Sequence, residues 1–135
     1  MTERRLRLGR AAEAHARKYL VHQGLTHLAS NWRMPRAPGH RGATSELDLL
    51  MRDGDVLIVV EVRAQEAASS TTRGSFAGAP EHTIGAEKRA RIARATQSYL
   101  RTLAWRPSAV RFDVVALTHR DSGFEVRWIK RAFEV

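Results

Sequence analysis

The chain has 135 residues, 43% of them hydrophobic, which is enough for one folded domain with a real core and short of two. It has no cysteine and no apolar run that would span a bilayer, which excludes a disulfide framework, a cysteine-based zinc site and a transmembrane helix; no membrane partner is expected, and the pattern fits a cytoplasmic protein. A net charge of +9 and a pI near 11.3 favour a polyanionic partner, since cationic side chains neutralise phosphates and release their counterions; most of the excess is arginine, which compositional bias alone also produces.

In chain order, residues 3 to 23 carry Leu6, Gly9, Ala12, Glu13, Ala16 and Leu20 at three- and four-residue spacing, the pattern of an amphipathic helix. Arg4, Arg7, Arg10, Arg17 and Lys18 populate its remaining surface, and Gly24 is its stop. Glu13 is anomalous, a carboxylate inside the apolar stripe that must find a partner, shift its pKa or reach a solvated cavity. Either it pairs with one of the many arginines, or it leans over the acidic hairpin that follows. Leu25 to Arg33 predicts a first strand, and Met34 to Ser45, with its prolines, glycines and arginines, predicts a basic loop.

Next comes the segment around which the chain is organised. Ser45 to Leu50 and Val56 to Arg63 flank an Asp53-Gly54 pair, a signal for a tight β-hairpin. With Asp53 and Gly54 as the central turn residues, Arg52 pairs with Asp55, Glu46 faces Glu61 and Asp48 faces Val59. Alternation then projects Glu46, Asp48, Glu61 and Arg63 from one face, and Leu47, Leu49, Ile58, Val60 and Val62 from the other. Like charges facing each other destabilise a sheet, so three acids on one patch call for a cation, a basic neighbour or water.

Ala64 to His82 predicts a polar loop that Phe76 could anchor, and Thr83 caps a helix running to about Leu103, with Glu87 in its first turn. Ile92, Ala95, Thr96, Tyr99, Leu100 and Leu103 form its inward stripe, and Lys88, Arg89, Arg91, Arg94 and Arg101 make it basic elsewhere. Those charges are either a solvated face or a phosphate contact surface. Val110 to Leu117 predicts a buried strand, parallel to its predecessor because a helical crossover joins them. A turn at Asp121-Ser122-Gly123 leads to a last strand, Phe124 to Ile129. The six histidines form no compact ligand pair, and the tryptophans read as core or interface residues before they read as base-stacking ones.

Asp48 on one strand and Glu61-Val62-Arg63 on the next resemble the active site of the PD-(D/E)xK nuclease superfamily. The wider order resembles the YraN family of proposed bacterial endonucleases, akin to archaeal Holliday-junction resolvases. It comprises Gly9-Arg10-Ala11-Ala12-Glu13-Ala14-His15-Ala16, Asn31-Trp32-Arg33, Glu46-Leu47-Asp48-Leu49-Leu50, Val59-Val60-Glu61-Val62-Arg63, Lys88 and Arg111-Phe112-Asp113. The resemblance implies a single α/β domain over residues 1–135 of the restriction-endonuclease-like type, a mixed sheet flanked by helices in the order α-β-β-β-α-β-β. It makes Asp48, Glu61 and Glu13 the ligands of Mg²⁺ or Mn²⁺, a hard cation that can activate water and offset charge on a phosphodiester. Arg63 stands where the superfamily most often has Lys; always protonated, it can steady a phosphate but is a poor general base.

The implied activity is endonucleolytic cleavage of DNA, branched or otherwise structured, by a cytoplasmic protein that works as a homodimer. Nucleic acid, DNA ahead of RNA, would be gripped by Arg33, Arg36, Arg41, Lys88, Arg89 and Arg91. Two alternatives stand beside it: a non-catalytic nucleic-acid-binding protein with a degenerate nuclease site, and a module docking an acidic protein.

Overall fold

Helix α1 (Glu3–His22) starts at Thr2, whose Oγ1 accepts the Arg5 N–H at 3.2 Å, satisfying one of the amides that a helix start leaves open. It ends in a Schellman motif: Leu25 N–H donates to the Leu20 carbonyl at 3.1 Å and Gly24 N–H to that of Val21 at 3.0 Å. Gly24 takes φ +102°, a conformation that disfavours any residue with a Cβ. Leu20 and Leu25, brought together by this stop, are both buried in the same cluster. Leu6, expected on the inward stripe, is exposed.

The structure, a computed structural model, describes residues 2–39, 45–67 and 84–135. After α1 come β1 (Thr26–Arg33), β2 (Glu46–Asp53), β3 (Val56–Glu66), α2 (Ala86–Leu100), β4 (Ala109–Arg120) and β5 (Gly123–Ile129). The five strands form one mixed sheet in the order β1-β2-β3-β4-β5, antiparallel except for β3 and β4. Element order and flanking helices are those of the restriction-endonuclease-like fold.

Strand alternation feeds two cores. Leu49, Met51, Ile58, Val60, Val115 and Leu117 pack with Ala12, Ala16 and Leu20 of α1. Leu50, Leu57, Val59, Phe112 and Val114 pack with Ile92, Ala95 and Tyr99 of α2. Each helix therefore covers one face, and the central strands are apolar on both. Helix α2 ends at Leu100, one turn short of expectation, where Thr102 donates its hydroxyl to the Tyr99 carbonyl at 2.7 Å. Its N-cap is Gly85, without a side-chain cap bond; Thr83, the expected cap, and the loop residues Phe76 and His82 lie outside the described residues.

The β2–β3 register differs from the sequence expectation by two residues. Asp53 pairs with Val56 around Gly54-Asp55, and the ladder runs to Leu49↔Val60. Gly54, at φ +61°, takes the first central position, while Asp53 is not left-handed as the expected turn would demand. A slip of two preserves which face each side chain occupies, whereas a slip of one would have inverted it. Asp48 and Glu61 thus remain together, as the next residue on each strand beyond Leu49↔Val60.

Asp113 of β4 anchors the C-terminal segment. It is fully buried and accepts the Arg111 guanidinium at 2.9 Å on each oxygen, the Trp128 indole N–H at 2.8 Å and the Arg131 backbone N–H at 3.0 Å. Removing one member of a buried charged pair leaves the other uncompensated. Asp113→Ala should therefore lower unfolding stability by about 3–5 kcal/mol, read from urea denaturation.

Candidate functional site

The sheet forks at Asp48. Beyond Leu49↔Val60, β2 stays with β1 as far as Arg33↔Glu46, while β3 stays with β4 as far as Glu66↔His119. At the fork the Val62 N–H donates to Asp48 Oδ2 at 2.9 Å. A side chain thereby satisfies an amide of β3 just where the two strands part. Asn31 of β1 sits at φ +50°, a left-handed conformation that Asn tolerates better than most residues. Leu47 packs on the α2 side although Leu49 packs on the α1 side, so period-two alternation breaks between them and Leu47 does not join the face expected for it.

Glu61 is buried, and its Oε1 lies 2.6 Å from Lys88 Nζ at the start of α2. Arg63 lies two residues further along β3, with its Nε buried and without a hydrogen-bond partner among the described residues. Glu13 comes from α1. Among the described residues it makes no ion pair with an arginine; it engages the Asn31 side chain instead and feels the charges of Glu46 and Glu61. The carboxylate thus lies within the field of the hairpin acids and of Arg10 without an ion pair to Arg10 or Arg17.

Electrostatics register this proximity. Burial, then the Glu61 carboxylate, push Asp48 up to about 8, against the opposing Val62 hydrogen bond and the Lys88 charge. Glu13 is also raised, first by burial, with the Asn31 bond opposing and the Glu46 and Glu61 charges adding. Yet among the described residues no three His, Cys, Asp or Glu side chains converge as a metal ion would require, so Glu13, Asp48 and Glu61 are neighbours in charge and not an assembled ligand set. Their all-oxygen chemistry does suit Mg²⁺ or Mn²⁺, and a divalent cation would relieve the repulsion that raises Asp48.

Of the residues expected to touch nucleic acid, Arg33 pairs with Glu46 at 3.5 Å and Arg91 with Glu87 at 3.4 Å. Arg36 and Arg89 are exposed, and Arg41 lies outside the described residues. Sequence reasoning missed Asn31 as the partner of Glu13, and it placed Lys88 among the nucleic-acid contacts, whereas its ammonium pairs with Glu61. Asn31 carried a signal, an Asn at a strand end opposite a hairpin of acids, which alternation alone does not read.

Because Asp48 binds its proton more tightly in the folded state than in the unfolded one, wild-type stability should fall as pH rises from about 4 to about 8. Asp48→Asn keeps an acceptor for Val62 and removes the charge. It should be more stable than wild type at pH 8 by on the order of 1–3 kcal/mol, a gap that closes toward pH 4 in urea titrations.

Comparison with known proteins places most of the chain in one family. The model of the uncharacterised protein family UPF0102 matches residues 12–117, a span from α1 into β4 that includes Glu13, Asp48, Glu61 and Lys88. A UPF0102 protein of Ectopseudomonas mendocina (strain ymp) is 36% identical over 128 residues, covering 94% of both chains. One from Pseudomonas fluorescens (strain Pf0-1) is 37% identical over 131 residues, 96% of this chain and 94% of that one. Another, from Syntrophotalea carbinolica (strain DSM 2380 / NBRC 103641 / GraBd1), is 38% identical over 135 residues, 100% of this chain and 98% of its own. The chain belongs to the UPF0102 family.

Proposed function

We propose that this protein binds nucleic acid on a nuclease-like fold whose carboxylate site is closed by its own lysine. The observation that carries this reading is the 2.6 Å contact between Lys88 Nζ and Glu61 Oε1. Lys88 supplies, from inside the chain, a positive charge at a carboxylate that hydrolysis would need for a metal. An ammonium neutralises Glu61, but it has no empty orbital with which to polarise a phosphoryl oxygen or acidify water. The net charge of +9 and the exposed Arg36 and Arg89 support backbone contacts of the salt-sensitive kind. DNA is the first candidate ligand, ahead of RNA.

A second reading is a Mg²⁺- or Mn²⁺-dependent endonuclease, and the raised pKa of Asp48 favours it. Two adjacent carboxylates, with Glu13 beyond them, form a site of excess negative charge, as divalent-cation sites do. In that reading Asp48 and Glu61 hold the ion and Glu13 completes the site, while Arg63, with its buried unpaired Nε, steadies the phosphate. The ion would supply Lewis acidity and an activated water.

The two readings part in one assay: a labelled DNA duplex and a four-way junction, each with Mg²⁺ and with Mn²⁺. The binding reading expects association that weakens steeply with salt, no turnover, and equal or tighter binding by Asp48→Ala. Cleavage by a contaminant-free preparation that Asp48→Ala and Glu61→Ala abolish would replace it with the endonuclease. Failure to bind either DNA at low salt would sink both.

A further inference from the structure

On the face of the sheet opposite α2, a cleft of about 350 Å³ lies between α1 and β1, lined by Arg10, Glu13, Ala14, Arg17, His27, Ser30 and Asn31. Its helical wall is one stripe: positions 10, 13, 14 and 17 recur at the spacing that places side chains on one face. At that spacing Glu13 could pair with Arg10 or with Arg17. Among the described residues it forms an ion pair with neither; the Asn31 side chain engages its carboxyl, and Arg10 acts on it only as a nearby charge. Two guanidiniums, one of them half-buried, therefore flank the cleft without an ion pair among the described residues.

The strand wall is irregular in a way that serves the same cleft. The β1–β2 register shifts between His27 and Ala29, and Asn31 is left-handed. In a regular strand His27 and Ser30 would point to opposite faces; across this bulge both line the cleft, joined by a 2.8 Å hydrogen bond between His27 Nε2 and Ser30 Oγ. Burial, then the Arg17 charge, hold the His27 imidazole below its ordinary value, so the fixed positive charge of the cleft is the arginine pair. Paired guanidiniums beside a hydroxyl, an imidazole and an amide are a donor set for a tetrahedral oxyanion.

We propose that this cleft is a backbone-phosphate subsite, in which Arg10 and Arg17 grip a phosphodiester of a nucleic-acid strand that passes over Glu13. The proposal rests on the nucleic-acid reading above and adds a contact surface on α1 that none of Arg33, Arg36, Lys88, Arg89 or Arg91 provides.

The test uses the full chain and the double variant Arg10→Gln/Arg17→Gln, with Arg101→Gln/Arg106→Gln, beyond the far end of α2, as a charge-matched control. Affinity for a labelled single-stranded oligonucleotide is measured against salt concentration. The cleft variant should bind roughly tenfold or more weakly than the control, and its log K against log salt slope should shrink by about 0.7 for each phosphate no longer neutralised. A parallel arm follows the Ser30 and Asn31 backbone amides by NMR during titration with a 5′-phosphorylated dinucleotide. Shifts in wild type that vanish in the cleft variant support the subsite.

Oligonucleotide affinity and salt slope matching the control overturn the proposal while leaving nucleic-acid binding intact. So does a silent dinucleotide titration of wild type. Inorganic phosphate that shifts the same amides as strongly as the dinucleotide overturns the nucleic-acid assignment in favour of a free-phosphate site. Dinucleotide shifts without any binding of longer strands sustain the subsite and overturn the wider reading.

Discussion

The hydrogen bond from Val62 N–H to Asp48 Oδ2 is the constraint on which the rest of the site depends. A sheet cannot part in its middle without exposing backbone groups, and a buried unpaired amide costs about as much as a broken hydrogen bond. Asp48 meets that demand with a side chain, so β2 and β3 separate while β1–β2 and β3–β4 continue. The solution has a consequence. The carboxylate that satisfies the amide is itself partly buried, next to Glu61 and within the field of Glu13, and its charged form becomes unfavourable. The bond itself favours the charged form, but the burial and the Glu61 neighbour that come with its place at the fork outweigh it.

Cations approach these carboxylates from both faces. Lys88 reaches Glu61 from the α2 side, while Arg10 and Arg17 stand on the α1 side without touching Glu13. The difference between the two faces is chemical. On the α2 side the nearest ammonium is engaged by a carboxylate, which lowers local repulsion and leaves less positive field for a ligand. On the α1 side the Asn31 amide engages Glu13 and Arg10 acts on it only as a nearby charge, so neither guanidinium of the cleft is tied up in an ion pair among the described residues. A polyanion nearing this site would therefore meet guanidinium on one face and, on the other, an ammonium already paired.

Element order and the two apolar stripes were legible because they are periodic: Ala12, Ala16 and Leu20 recur at helical spacing, and Ile58 to Val60 alternate between two cores. The grouping of Asp48 with Glu61 survived a wrong register because the error was an even number of residues. What was not legible depends on backbone irregularity. The bulge after His27 and the left-handed Asn31 turn β1 side chains toward α1 against their alternation, and no periodic rule carries that information. The turn differs for a related reason: Gly54 suits either central position of a hairpin turn, and the backbone of Asp53, which is not left-handed, decides between them only in three dimensions. Lys88 was visible as a basic residue at a helix start, but its contact joins α2 to β3 across a long intervening segment, beyond the reach of local pattern.

Asp48 and Asp113 are the sharpest argument that environment, not residue type, separates scaffold from candidate site. Both are aspartates on strands of the same sheet, and both carry a hydrogen bond from a backbone amide. Asp113 receives four hydrogen bonds, two from Arg111 and one each from Trp128 and the Arg131 backbone, so both its oxygens are matched by donors. Such a group stabilises one conformation and has little left to offer a ligand. Among the described residues Asp48 receives one bond, from Val62, and otherwise lies beside the Glu61 carboxylate. A carboxylate kept in that company costs stability, although the Val62 amide needs only an acceptor oxygen and not a charge. Stability given up at one residue, where a cation or a proton would restore it, is the physical signature of a site, and in this chain it falls on Asp48 and not on Asp113.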